Sequence, residues 1–60
     1  MKRLLIIGAG GFGQMIQETA GLLGYEEVVF LDDASKHKDV VGKCCDYRNF
    51  LKGYDTAVAA

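Results

Sequence analysis

The fold of this chain is decided by the stretch Gly8-Ala9-Gly10-Gly11-Phe12-Gly13, which we call the glycine turn. The aliphatic residues 4–7 precede it, and residues 11–23, in which apolar side chains recur with helical spacing, follow it. The glycines therefore have the spacing G-x-G-x-x-G between a predicted strand and a predicted helix. This combination is typical of a phosphate-binding turn at the start of a parallel α/β unit.

Each glycine of this pattern has its own physical role. Gly8 permits a tight turn out of the strand, Gly10 leaves room for a ligand's phosphates beside the main chain, and Gly13 lets the helix pack closely on the strand. The N-terminus of the helix then offers unpaired N–H groups and a partial positive charge to an anion. The alternative is a tight strand-to-helix turn that holds no ligand.

A second buried strand is predicted at residues 28–31, and it ends in two acids. Asp32 and Asp33 lie 19 and 20 residues after Gly13, where a dinucleotide-binding unit places the acid that accepts a hydrogen bond from a ribose hydroxyl. A right-handed crossover puts the carboxyl end of this strand beside the glycine turn. We therefore expect the acids and the turn to face one ligand, with one of the two acids only capping a turn.

The predicted first helix carries one apolar stripe, formed by Phe12, Met15, Ile16, Thr19, Ala20 and Leu23. Core packing is the expected role of Met15. Gly24 is the predicted end of the helix, in the left-handed conformation that glycine adopts readily.

The remaining predicted elements are a loop, a brief edge strand, a short helix and a third main strand, at residues 34–39, around Cys44, at 47–52 and at 56–60. Asp46 is the predicted N-cap of the short helix, in which Phe50 and Leu51 are expected to pack inward. The fold class is therefore α/β, a Rossmann-like parallel sheet of order βαβαβ, truncated within the third main strand. We expect residues 1–60 to be a partial N-terminal domain; a complete small domain is the alternative.

Composition excludes several classes of function. A net charge of −1, with seven basic residues that are not clustered, argues against a nucleic-acid surface, and no apolar run approaches the roughly 20 residues of a membrane span. Cys44 and Cys45 are adjacent, which is not a metal-binding spacing, and we expect both to be small half-buried apolar residues. His37 is predicted to be a solvated loop residue. The sequence therefore predicts no metal, no catalytic residue and a cytoplasmic location.

Three stretches together resemble one family: residues 2–13 (KRLLIIGAGGFG), 22–25 (LLGY) and 29–33 (VFLDD). The family is that of the N-terminal domains of the sugar O-acyltransferases, of the sialic-acid O-acetyltransferase and bacillosamine-pathway N-acetyltransferase type. The order of the later elements is also similar, so the resemblance covers nearly all of the chain.

The resemblance implies a Rossmann-like domain that binds a UDP- or CMP-linked sugar instead of NAD. It further implies a C-terminal left-handed β-helix that trimerises, binds acetyl-CoA as acyl donor and supplies a catalytic histidine, so that no cofactor is expected within residues 1–60. Carried over by position, the substrate-binding residues are Gly8, Gly10, Gly11 and Gly13 at the phosphates and Asp32 and Asp33 at the nucleoside end.

Phe12 departs from the family pattern, because a histidine usually stands at this position. Phenylalanine can neither donate a hydrogen bond nor carry a charge. We include Phe12 among the predicted substrate-binding residues, while its expected packing role is to begin the apolar stripe. A lost substrate contact, a different sugar or a function other than acyl transfer would each accommodate the change.

The leading hypothesis is the nucleotide-sugar-binding part of an acetyl-CoA-dependent sugar acetyltransferase, a homotrimer when complete, that transfers acetyl to an amino or hydroxyl group. Residues 1–60 alone are not expected to be catalytic. One alternative is the NAD(P)-binding part of an oxidoreductase, in which Asp32 would favour NAD because a carboxylate repels a 2′-phosphate. The other alternative is a non-catalytic nucleotide-sensing module.

Overall fold

Residues 2–60, which the computed structural model describes, form a parallel sheet with helices between its strands. In chain order the elements are β1 (Arg3–Ile7), α1 (Gly11–Leu22), β2 (Glu27–Leu31), β3 (Val40–Gly42), a 3₁₀ turn (Cys44–Asp46), α2 (Tyr47–Leu51) and β4 (Thr56–Ala59). The four strands pair in the order β3-β2-β1-β4, and every pair is parallel. The predicted α/β Rossmann-like sheet is confirmed.

The first strand, β1, is central because its side chains are apolar on both faces of the sheet. Leu5 pairs with Val29 of β2 on one side and with Ala57 of β4 on the other. Leu5 and Ile6 have no exposed surface. A continuous aliphatic run is what an interior parallel strand requires, since neither of its faces meets water.

Helix α1 packs on β1 and β2 through its smallest residues. Gly13 and Ala20 are its two buried positions, and Ala20 belongs to the same core cluster as Ile6 and Phe30. Gly24 has φ +91°, and the N–H of Tyr25 donates to the Ala20 carbonyl at 3.1 Å. The helix therefore ends as predicted, at a glycine in the left-handed conformation.

The apolar stripe of α1 is largely open on the side that faces β4. Phe12 is 64% exposed, Met15 63% and Leu23 65%. These side chains line an apolar groove of about 330 Å³, whose other wall includes Leu4 and Val58. The prediction that Met15 packs in the core is wrong, because α1 lies over β1 and β2 and leaves this side of the sheet uncovered.

The edge strand lies earlier in the chain than predicted. It is β3, at Val40–Gly42, and its pairing with β2 shifts register between Phe30 and Leu31. Cys44 instead begins the 3₁₀ turn, where its N–H donates to Asp33 Oδ1 at 3.0 Å. Asp33 therefore takes the Cys44 amide, which an edge strand at this position could have used for pairing. The predicted position of the edge strand was wrong by a few residues.

The second helix, α2, follows the predicted position but not all of the predicted contacts. Asp46 occupies its N-cap position, yet the carboxylate accepts the Lys43 N–H at 3.1 Å and does not cap the helix. Phe50 is half-buried and lies near Gly42, where an added Cβ would stand 3.1 Å from the ring. Leu51 is 39% exposed, contrary to the prediction, because a helix of five residues offers only a narrow inward face.

No helix within residues 2–60 has both the length and the apolar character that a bilayer crossing needs. In the same part of the chain, no group of three or more His, Cys, Asp or Glu side chains converges as metal ligands would.

Candidate functional site

The glycine turn leaves β1 through Gly8, which has φ +109°. Residues with a side chain rarely adopt this backbone conformation, so the turn needs glycine here. The Gly8 N–H donates to the Leu31 carbonyl at 2.7 Å, and a Cβ at Gly8 would stand 3.4 Å from the Ala60 carbonyl oxygen. The turn therefore lies at the carboxyl ends of β1, β2 and β4, the edge at which open parallel sheets bind ligands.

The other glycines of the turn divide into a crowded one and two open ones. A Cβ at Gly13 would lie 2.1 Å from the Gly8 carbonyl oxygen, so only glycine permits this approach of α1 to the strand end. A Cβ at Gly10 or Gly11 would meet nothing within 4 Å. Gly13 thus shapes the turn, whereas Gly10 and Gly11 leave open space in front of the main chain.

The open glycines lie at an uncapped helix N-terminus. Gly10 is the N-cap residue of α1, and its carbonyl accepts the Gln14 N–H at 3.0 Å. No side chain among residues 2–60 caps this end, and the first turn holds no acid. The amides of a first helical turn have no carbonyl partner inside the helix. They are therefore available, together with the helix dipole, to an anion that lies over Gly10 and Gly11.

Asp32 lies next to the glycine turn, as the crossover argument predicted. Its Oδ2 accepts the Ala9 N–H at 2.8 Å, and its Oδ1 accepts the N–H groups of Ala34 at 2.9 Å and Ser35 at 2.7 Å. These bonds, that of Ala9 foremost, lower the pKa of Asp32 below its ordinary value. A carboxylate that accepts three backbone amides is held as an anion and fixes two loops at once.

Asp33 is more exposed and makes one backbone bond, its Oδ1 accepting the Cys44 N–H. Of the two acids, Asp32 has the geometry of the expected turn cap, and Asp33 keeps more of its carboxylate free. That either acid contacts a nucleoside stays a prediction.

The two cysteines differ in their surroundings. Cys44 is half-buried, as predicted, and burial together with the nearby Asp33 and Asp32 raises the pKa of its thiol. A raised thiol pKa lowers the thiolate fraction, so Cys44 is poorly suited as a nucleophile. Cys45 is exposed instead of half-buried, since it lies in the 3₁₀ turn, which buries none of its residues.

Phe12 lies in the first turn of α1, and its ring lines the apolar groove. It begins the apolar stripe, as expected, but at 64% exposure it contributes little to the core. Its contact with a substrate stays a prediction, as do the substrate contacts of the four glycines.

Sequence reasoning missed the hydrogen bonds of three polar residues, one of which holds the glycine turn and two of which hold the loop before β3. Gln14 Nε2 donates to the Ala9 carbonyl at 3.0 Å, and Gln17 Nε2 donates to Asp39 Oδ2 at 2.8 Å. His37 is half-buried, and its ring packs edge-on against that of Phe30, with 5.1 Å between the ring centroids. Its Nδ1 accepts the Asp39 N–H, so the prediction of a solvated His37 was wrong. The only available signal was the position of the glutamines on the helix face opposite the stripe.

Comparison with known proteins gave a family. Neither the search of curated proteins nor that of solved structures gave a significant match. The family described as the PglD N-terminal domain matches residues 3–60. That match extends from β1 through the glycine turn and both acids to the end of β4. The chain therefore belongs to the family of PglD N-terminal domains, the N-terminal domains of bacillosamine acetyltransferases of the PglD type.

Proposed function

We propose that this chain is the sugar-nucleotide-binding part of an acetyl-CoA-dependent sugar acetyltransferase. The observation that carries the proposal is the glycine turn, in which Gly8 and Gly13 set the backbone path while Gly10 and Gly11 leave the uncapped end of α1 open. Membership of an acetyltransferase family supports the reaction class. The diphosphate of a UDP-linked sugar, or the single phosphate of a CMP-linked one, is an anion that suits such a helix end.

In this proposal the chain contributes binding and orientation. Phosphates bind the amides at Gly10, Gly11 and Gly13, and the nucleoside extends toward Asp33. Holding an acceptor in a reactive geometry can supply about 7–11 kcal/mol of the barrier in favourable intramolecular systems. Acetyl-CoA and the general base belong to another domain of the complete homotrimeric enzyme, and the acetyl group goes to an amino or hydroxyl group of the sugar.

One observation also favours the second candidate, an NAD(P)-binding domain. Asp32 occupies the position at the end of β2 from which dinucleotide-binding domains contact the ribose. However, Asp32 already accepts three backbone amides, which leaves little of its carboxylate for a ribose diol. The ribose contact on which the NAD(P) alternative depends therefore has little support at Asp32.

The test is a parallel titration of the protein with UDP-N-acetylglucosamine, CMP-N-acetylneuraminate and NADH, followed by NMR shifts of the backbone amides. We expect at least one sugar nucleotide to saturate the shifts of Gly10, Gly11 and Gly13. NADH is the matched control, because it carries a diphosphate and two riboses but no acceptor sugar. Saturation by NADH alone would replace our proposal with the second candidate, and absence of any shift at the glycine turn would refute both.

A further inference from the structure

Ala9 is the residue of the glycine turn whose two backbone polar groups are both held by side chains. Its N–H donates to Asp32 Oδ2 at 2.8 Å, and its carbonyl accepts Gln14 Nε2 at 3.0 Å. The Ala9 side chain is 2% exposed, so the residue is also fixed by packing. These contacts come from two different elements, the loop after β2 and the first turn of α1.

The two bonds fix the peptide planes on both sides of Ala9. A trans peptide is planar, with its C=O and N–H pointing in opposite directions. Gln14 therefore fixes the direction of the Gly10 N–H through the carbonyl of Ala9. Asp32 fixes the plane between Gly8 and Ala9, the plane that also holds the Gly8 carbonyl against Gly13.

We infer that Asp32 is a positioning residue that acts through Ala9, with Gln14 as its counterpart, and sets the orientation of the amides that bind phosphate. The inference rests on the proposed function and deepens it. It assigns to Asp32 a role different from the ribose contact that its sequence position predicts. In this assignment Asp32 acts on the phosphate half of the ligand, and Asp33 is the acid left for the nucleoside half.

The chemistry of the carboxylate supports this assignment. A carboxylate accepts about four hydrogen bonds, and Asp32 uses three of these positions for backbone N–H groups. Turning the group toward a ribose would leave Ala9, Ala34 and Ser35 without their acceptor. Asp33 would lose one bond, to Cys44, in the same movement.

The experiment compares Asp32→Asn with Asp33→Asn, two adjacent substitutions that each remove one negative charge without changing the shape of the side chain. Three probes are titrated by NMR against each protein: UDP, inorganic pyrophosphate, which has no nucleoside, and uridine, which has no phosphate. We expect Asp32→Asn to weaken the binding of UDP and of pyrophosphate about tenfold, because one polar contact behind the phosphate site is lost. The binding of uridine should stay unchanged. A general loss of structure would weaken all three probes together.

The outcomes separate the inference from the proposed function. Wild-type protein that binds neither UDP nor pyrophosphate, and no CMP-N-acetylneuraminate in the titration described above, refutes the proposed function itself. Wild-type binding that Asp32→Asn leaves unchanged, or weakens for uridine but not for pyrophosphate, overturns the positioning role. If Asp32→Asn does not fold, Gln14→Leu decides: weakened pyrophosphate binding with unchanged uridine binding supports the inference, and unchanged pyrophosphate binding overturns it.

Discussion

The two sides of α1 show opposite kinds of packing. On the side that faces β1 and β2, Gly13 and Ala20 are buried and the helix touches the strand ends. On the side that faces β4, Phe12 and Met15 are large, apolar and more than half exposed. Close packing here depends on small residues that let backbones approach, and the large side chains of Phe12 and Met15 keep most of their surface exposed.

Each side of the helix also has its part in the candidate site. The packed side fixes the path of the chain through the glycine turn, because Gly13 meets the Gly8 carbonyl. At the open end, Gly10 and Gly11 have free space in front of them. A site that must bind an anion with backbone amides needs both, a rigid support behind the amides and an empty volume before them.

The largest effect is expected from Gly13→Ala on the packed side. The added methyl would lie 2.1 Å from the Gly8 carbonyl oxygen, a backbone atom that cannot move alone. We expect a loss of about 3 kcal/mol in the free energy of unfolding, the upper part of the usual range for overpacking. Urea denaturation followed by circular dichroism measures it.

Gly21→Ala is the matched control for this prediction. Gly21 lies in the same helix, and a Cβ there meets nothing within 4 Å. Alanine should therefore stabilise the protein by about 0.5–1 kcal/mol through its higher helix propensity. Equal effects of the two substitutions would contradict the difference between the packed and open sides.

The next largest effect is expected from Gly10→Val, at the open end. The protein itself leaves this position free, so the fold should persist, while the side chain would occupy the place proposed for phosphate. UDP binding measured by calorimetry should fall at least about hundredfold, a change of about 2.7 kcal/mol. Undiminished binding by a folded Gly10→Val protein would show that phosphate does not approach this backbone.

A smaller effect compares two neighbours on α1. Ile16 is half-buried and packs against the core cluster, whereas Met15 is 63% exposed in the apolar groove. Ile16→Ala should cost about 1–2 kcal/mol of stability, below the values for fully buried isoleucine, and Met15→Ala about 0.5 kcal/mol or less. Thermal unfolding of both variants measures the difference. A larger loss for Met15→Ala would mean that the groove is closed in solution.

The smallest effect concerns pH and arises at the glycine turn. The pKa of Asp32 is lowered by the amides of Ala9, Ala34 and Ser35, so its stabilising contribution is complete above the unfolded value of about 3.9. That contribution is lost as pH falls through the lower pKa of the folded state. We expect the melting temperature to fall between about pH 5 and pH 2, and to fall less in Asp32→Asn.

Glu27 provides the comparison at the opposite end of the sheet. Its pKa is lowered first of all by Arg3, which donates from Nη2 to Oε2 at 2.7 Å. Both groups are substantially exposed, so the pair should respond to salt as well as to acid. Part of the fall in melting temperature at low pH should disappear in Glu27→Gln, and high salt should make that part smaller. High salt should leave most of the part that disappears in Asp32→Asn. The same salt response in both variants would argue against direct hydrogen bonding at Asp32.

Much of the fold could be predicted because its signals are local. The aliphatic run before Gly8, the left-handed glycine at Gly24 and the acids after β2 each specify a backbone state or a burial pattern within a few residues. The short elements could not be placed as well. The position of β3 depends on its pairing with β2 and on the bond between the Asp33 carboxylate and the Cys44 N–H, which join residues at least ten positions apart. Asp46 bonds locally, to the Lys43 N–H, but residue type alone does not show that it takes this amide instead of capping α2.

The same distinction holds at the candidate site. The sequence predicted that Gly8 and Gly13 shape one turn and that Asp32 lies beside it, as the structure has them, since the spacing of glycines and acid carries its own geometric requirement. It could not show that Asp32 holds Ala9, or that Gln14 holds the same residue from the other side. Whether a side chain bonds to the turn depends on its distance from the turn, which the crossover sets. Residue type does not reveal that distance.

The sequence by itself determined the alternation of strand and helix, the turn between them and the family, because hydrophobic runs and glycine spacing act through the backbone near them. Only the tertiary structure decided which side of α1 is buried and what Asp32 contacts. Burial and hydrogen bonding of this kind arise when separate elements meet: Met15 has the apolar character of a core residue, and the sheet leaves it facing a groove.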